Sequence, residues 1–126
     1  MIQFKQKWNK FKFEFFLWRM GGLKNGFYAN RPPIKSRHFF AVGDGWLPLI
    51  KKCIKECIKA GWNKEICQVK EKFGGLRFYI NDGSKEIFDI ISKYENISHT
   101  TCEECGKPGK QRSGGWIRTL CDKHSK

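Results

Sequence analysis

A chain of 126 residues, 40% apolar and 15% aromatic, is too short for a second large domain and too rich in core-forming side chains to be wholly disordered. Its formal charge of +13 is uneven: residues 1 to 43 carry nine Lys or Arg against Glu14 alone, a balance of +8, and the stretches 44 to 100 and 101 to 126 add only +2 and +3. An excess of that size at one end attracts polyanions, most often nucleic acid and sometimes an acidic protein or membrane surface, although a Lys-rich face also serves solubility alone.

The first segment, Ile2 to Met20, alternates Lys with aromatics and lacks the apolar stretch of a secretory signal; nothing in the chain approaches the roughly 18 to 20 apolar residues of a membrane span. A soluble, cytoplasmic protein is therefore expected. Phe4, Trp8, Phe11, Phe15 and Trp18 recur at steps of four and three, which predicts a helix; Phe11 to Phe15 also alternates like a strand. The aromatic stripe is expected to pack onto the rest of the domain rather than stand free. Lys5, Lys7, Lys10, Lys12 and Arg19 lie beside it as candidate phosphate contacts, with Trp8 available to stack on unpaired bases if exposed. Gly21 and Gly22 end the pattern, and Asn25 to Arg37 reads as a loop whose Arg31, Lys35 and Arg37 suit a phosphate chain.

The clearest helix spans Trp46 to Ala60, introduced by Gly43-Asp44-Gly45, with Pro48 in its first turn and Gly61 behind it. Its apolar stripe includes Cys53 and Cys57, and Lys51, Lys52, Lys55 and Lys59 occupy other positions. Two strands follow, Ile66 to Lys72 and Leu76 to Asn81, reversing around Phe73-Gly74-Gly75; the glycines permit a tight turn and could alternatively cradle an anion. A second helix is expected from Lys85 to about Glu95, burying Ile87, Phe88, Ile91 and Tyr94. The fold class predicted is α+β: a basic aromatic segment (residues 1 to 42), an αββα core (residues 43 to 98), and a small C-terminal module (residues 99 to 126).

That module carries the sharpest signal. Cys102, Cys105, Cys121 and His124 read C-x2-C-x15-C-x2-H. Two intervening residues let neighbouring ligands converge on one ion, Gly106 lets the backbone curl beneath the first pair, and fifteen residues suffice for a hairpin that returns the second pair. Three thiolates and an imidazole complete a tetrahedral shell for structural Zn2+ in a treble-clef or knuckle-like module, with no position open for catalysis. Two disulfides, or iron, are the alternatives; His99 and Cys67 are poorer ligands. Lys107, Lys110, Arg112, Arg118, Lys123 and Lys126 surround the site in sequence, and Arg112, Trp116 and Arg118 form a second candidate patch for a nucleic-acid or protein partner.

Three segments, Gly43-Asp44-Gly45-Trp46, Gln68 to Tyr79 (QVKEKFGGLRFY) and Cys102-x2-Cys105-Gly106 followed by Gly114 to His124, together resemble a family of small proteins from phages and prophages. The likeness covers Gly43 to His124. It implies a bacterial host cell and a replication accessory, regulator or counter-defence protein, including an anti-CRISPR inhibitor of an RNA-guided effector. The family brings no established reaction.

No phosphate-binding P-loop, G-x-S-x-G elbow or deaminase zinc signature is present, and His38, His99 and His124 do not form a His-Asn-His set. The reading is a non-enzymatic, basic zinc-binding protein that engages nucleic acid (RNA or DNA) or a protein-RNA complex such as a CRISPR effector. A protein-directed inhibitor is the alternative, and a zinc-supported nuclease the remoter one.

Overall fold

A computed structural model describes residues 4 to 125, with side chains from residue 7 onward; the first residues of the expected helix and the side chains of Phe4, Lys5 and Lys126 lie outside the described residues. The elements in order are α1 (Phe4–Arg19), β1 (Lys24–Asn25), β2 (Phe40–Ala41), α2 (Leu47–Lys59), β3 (Glu65–Lys72), β4 (Gly75–Ile80), α3 (Lys85–Ser98), β5 (Lys110–Arg112) and β6 (Arg118–Leu120). Short 3-10 turns at Arg37–Phe39 and Asp44–Trp46 lead into β2 and α2. The mixed α and β composition agrees with the expected class, and α2, β3, β4 and α3 form the αββα unit.

The first segment is helical, so the helix alternative holds over the strand. Its orientation overturns the expected packing. Phe13 and Leu17 are buried with Phe16 and Met20 beside them, and Phe13 meets Phe40 edge-on at 4.9 Å. Trp8, Phe11, Phe15 and Trp18 face away and are 48%, 60%, 48% and 65% exposed. The helix is apolar on two opposite sides, and one helix can lay only one side on a core. Leu17→Ala, at a fully buried position, is expected to cost about 2 to 5 kcal/mol in urea unfolding, whereas Phe11→Ala on the outer side should stay within about 0.5 kcal/mol.

In α2 the buried set is Leu47, Leu49, Ile50, Cys53, Ile54 and Cys57, as the helical spacing predicts. The hydrogen bond between Cys53 and Cys57 pushes the Cys53 thiol up, together with burial, and draws the Cys57 thiol down; both side chains are fully buried in the core. In α3, Ser84 caps the start by accepting from the Ile87 N–H, and Ile87, Ile91, Tyr94 and Ser98 are buried. Phe88 is exposed instead of buried, because one residue beyond Ile87 lies about 100° around the helix.

Strands β3 and β4 pair antiparallel, with Val69 opposite Phe78 and Lys72 opposite Gly75. The reversal is made by Phe73 and Gly74, both at positive φ (53° and 80°), the backbone of the tight turns that match strand twist. Gly75 lies under the exposed His99 ring, which a Cβ at 2.6 Å would oblige to swing aside. The other edge of β3 is covered by two short parallel strands, β1 at Glu65 and Ile66 and β2 at Val69 and Lys70. The free edge of β4 is met by side chains of α3: Leu76 N–H donates to Ser98 Oγ and Phe78 N–H to Glu95 Oε2. Each edge of the hairpin thereby has part of its backbone paired. Among the described residues, no helix is long and apolar enough to cross a membrane.

Candidate metal centre

The C-terminal segment begins as a knuckle. Cys102 N–H donates to Lys107 O, and Gly106, at φ +83°, donates from its N–H to Cys102 O at 2.8 Å. That curl aims Cys102 and Cys105 to one side. Strands β5 and β6 then form a hairpin with Gln111 opposite Thr119, and the chain returns through a turn closed by His124 N–H to Cys121 O. Among the described residues the second ligand pair stands on this turn, and no helix follows it.

The ligand atoms of Cys102, Cys105, Cys121 and His124 all lie within 4.8 Å of one another and could hold a metal ion. Cys105 and Cys121 Sγ are 3.7 Å apart, while His124 Nδ1 is 3.1 Å from Cys121 Sγ and 3.8 Å from Cys102 Sγ. A tetrahedral ion with bonds of about 2.3 Å to sulfur and about 2.0 Å to nitrogen sets S···S edges near ~3.8 Å and S···N edges near ~3.5 Å. The cluster has that size. A disulfide needs its sulfurs about 2.05 Å apart, and all six cysteines are free. Burial pushes the Cys105 thiol up, while at Cys121 the His124 ring and the neighbouring thiols outweigh burial and bring it down to about 6.

The centre is bound tightly to the core. Gly45 N–H donates to Glu103 O, Gly43 N–H to Glu103 Oε2, and the buried Trp46 indole N–H to Thr101 O at 2.8 Å. On the other side, Thr119 Oγ1 donates to Gly74 O at the β3–β4 turn. Glu103 is 5% exposed; burial pushes its carboxyl above the usual range, against the Gly43 N–H and Arg118. The three segments that carry the family resemblance thus meet in space: Gly43 to Trp46 and the Phe73-Gly74 turn both touch the metal module. No protein-family model, curated protein or solved structure matches this chain. Its chemistry is therefore read from its own geometry.

The expected partner contacts divide into two groups. Lys10 and Arg37 converge on Asp44, at 3.7 and 3.8 Å, and fasten α1 and the loop to the start of α2. Arg112 is paired with Asp122, and Arg118 with Glu103 and Glu104, so both brace the metal module. These four are occupied inside the protein. Lys7, Lys12, Arg19, Arg31 and Lys35 are exposed, with Arg31 lying over Tyr28 at 5.0 Å and Lys12 over Trp8 at 5.9 Å. Trp116 is 76% exposed. Lys5 lies outside the described side chains.

Phe11, Phe15 and Trp18 are not recognisable from sequence as surface residues, because their helical spacing is the ordinary mark of a buried stripe. With Trp8 they form a ladder of rings along the outside of α1. Successive centroids are 5.6, 6.4 and 6.0 Å apart, with planes inclined by 23°, 18° and 32°. The docking roles of Glu103 and Trp46 are equally silent in the sequence: they join the C-terminal module to the core, which no local pattern records. Elsewhere, His38 lies in the 3-10 turn before β2 and His99 lies against Gly75, and among the described residues neither joins a group of three or more potential ligands.

Proposed function

We propose that this protein is a non-catalytic binding module in which structural zinc shapes the C-terminal part and the outer side of α1 engages nucleic acid, free or within a nucleoprotein. The observation that carries this reading is the exposed ring ladder Trp8, Phe11, Phe15 and Trp18 bordered by Lys7, Lys12 and Arg19. Exposed aromatics supply stacking surface and adjacent cations supply phosphate attraction, the combination that sequence-tolerant single-strand binding uses. Zinc is favoured for the cluster because three thiolates with one imidazole suit it and four ligands complete its tetrahedron, leaving no position for a reacting water. The knuckle, hairpin and returning turn are laid out like the first part of a treble clef. A phage-borne origin rests on the sequence resemblance alone.

Binding of labelled RNA and DNA oligomers by the intact protein, measured against salt, tests the reading. Affinity is expected to fall steeply between about 50 and 200 mM salt. Salt-independent association, or none at low salt, overturns it. Trp8→Ala is expected to weaken binding about tenfold, since stacking on one aromatic is worth about 1 to 3 kcal/mol per base, with melting almost unchanged. If the partner is a protein-RNA complex such as a CRISPR effector, copurification survives nuclease only where the contact is to protein.

A further inference from the structure

Between α1 and α2 lies a cavity of about 270 Å³ lined by Asn9 and Lys12 from one helix and Lys51, Lys52 and Lys55 from the other. Four lysines border it and no carboxylate does. Among the described residues none of the four is in an ion pair, in contrast to Lys10, Lys85 and Lys93. Asn9 is 9% exposed, and its side chain lines the cavity. A second groove of about 530 Å³ shares Asn9, Pro48 and Lys52 with the first and runs on to Gly106 of the knuckle, again with no carboxylate in its lining. Its other lysine, Lys93, is paired with Glu56, so the cationic trough is the first cavity, with the second groove as a largely neutral extension.

Like charges gathered this closely cost free energy unless an anion joins them. The strain registers at Lys51, whose ammonium is pushed below its usual range by burial and then by Lys55 and Lys12. Lys12 connects the trough to the ring ladder, since its side chain lines the cavity and its ammonium lies over the Trp8 ring.

We infer that this trough is a phosphodiester-binding site for single-stranded nucleic acid, with backbone phosphates held by Lys12, Lys51, Lys52 and Lys55 and unpaired bases directed onto the Trp8 end of the ladder. The inference deepens the nucleic-acid reading above and depends on it. Single strands fit better than a duplex because a base must lie flat on an exposed ring while its phosphate enters the cleft, which a paired and stacked base does not do. Asn9 adds an amide donor to the lining, suited to a phosphate oxygen.

The test uses the intact protein with three probes: a twelve-nucleotide oligouridine, an RNA duplex of equal length, and vesicles containing an anionic phospholipid. The oligouridine is expected to bind more tightly than the duplex. Lys51→Gln and Lys55→Gln should each weaken it about tenfold and flatten the slope of log affinity against log salt by roughly 0.7. Lys59→Gln, on the same helix but outside the trough, serves as the control for simple loss of charge. If the oligomer binds and the Lys51 and Lys55 variants lose no more than Lys59→Gln, the trough assignment is wrong while nucleic-acid binding stands. Equal or tighter binding of the duplex overturns the single-strand assignment. Binding to vesicles with none to either RNA overturns both readings and makes α1 a membrane-surface helix. Circular dichroism melting of each variant separates lost binding from lost fold.

Discussion

Cys102→Ser is expected to abolish tight metal binding and, with it, the ordered structure of residues 99 to 125. The module's own apolar core is small: its buried apolar set is Cys102, Cys105 and Leu120, with Cys121 packed against them. With the ligand set broken it is expected to fall short of the cost of ordering its loops, at about 1 to 2 kcal/mol per residue. A complete structural zinc site contributes about 10 to 16 kcal/mol of apparent binding free energy at neutral pH, and a site with one ligand removed keeps only part of it. Metal content should fall from one ion per chain toward none. Amide exchange protection of β5 and β6 should disappear, and chelation of the unmodified protein should reproduce both changes. The core should lose less, about 1 to 3 kcal/mol, because the Trp46 indole and the Gly43 and Gly45 amides forfeit their partners in Thr101 and Glu103. Undiminished protection of the hairpin in a metal-free Cys102→Ser protein would show that the ion does not shape the tail.

Gly45→Ala is the second large effect, and it acts from outside the metal module. A methyl group at Gly45 would meet Cys102 O at 2.4 Å, Gly106 N at 2.5 Å and Cys105 N at 2.6 Å. All three are backbone atoms of the knuckle, so none can swing aside as a flexible side chain would. The variant must move the knuckle off the core or distort the turn that aims both thiolates. We expect a loss of about 3 kcal/mol or more in unfolding free energy, and metal that a chelator withdraws at least about tenfold more readily. Trp46→Phe, which removes only the indole donor and some volume at the same junction, should cost less, about 2 kcal/mol, and leave chelator resistance nearly intact. Equal chelator resistance in Gly45→Ala and the unmodified protein would mean that the knuckle is shaped without its seat on the core.

The elements legible in the sequence are those whose local pattern and tertiary surroundings agree. Helix α2 carries one apolar stripe ending at a glycine, β3 and β4 alternate around a turn, and the ligand set announces itself by spacing, since side chains with two residues between them on a curled backbone converge wherever the segment sits. The two-residue strands β1 and β2 leave no such trace. They exist because the edge of β3 needs partners, a demand that belongs to β3 and not to Lys24–Asn25 or Phe40–Ala41. Phe88 departs from expectation for a related reason: adjacent apolar residues at Ile87 and Phe88 both fit a helical stripe, and the packing of α3 buries only Ile87.

The surface of α1 marks the boundary most clearly. Composition and periodicity establish that residues near the N-terminus are cationic and aromatic, with a helical spacing that competes with a strand-like one at Phe11 to Phe15, and that three thiols and an imidazole can close around one ion, because these properties depend on near neighbours in the chain. Which side of α1 turns inward, that four lysines from two helices border one cleft, and that Gly45 supports the knuckle depend on residues far apart in sequence. They are settled by the competition for a single core, where Phe13 and Leu17 reach Phe40 and α2 and leave the larger rings outside.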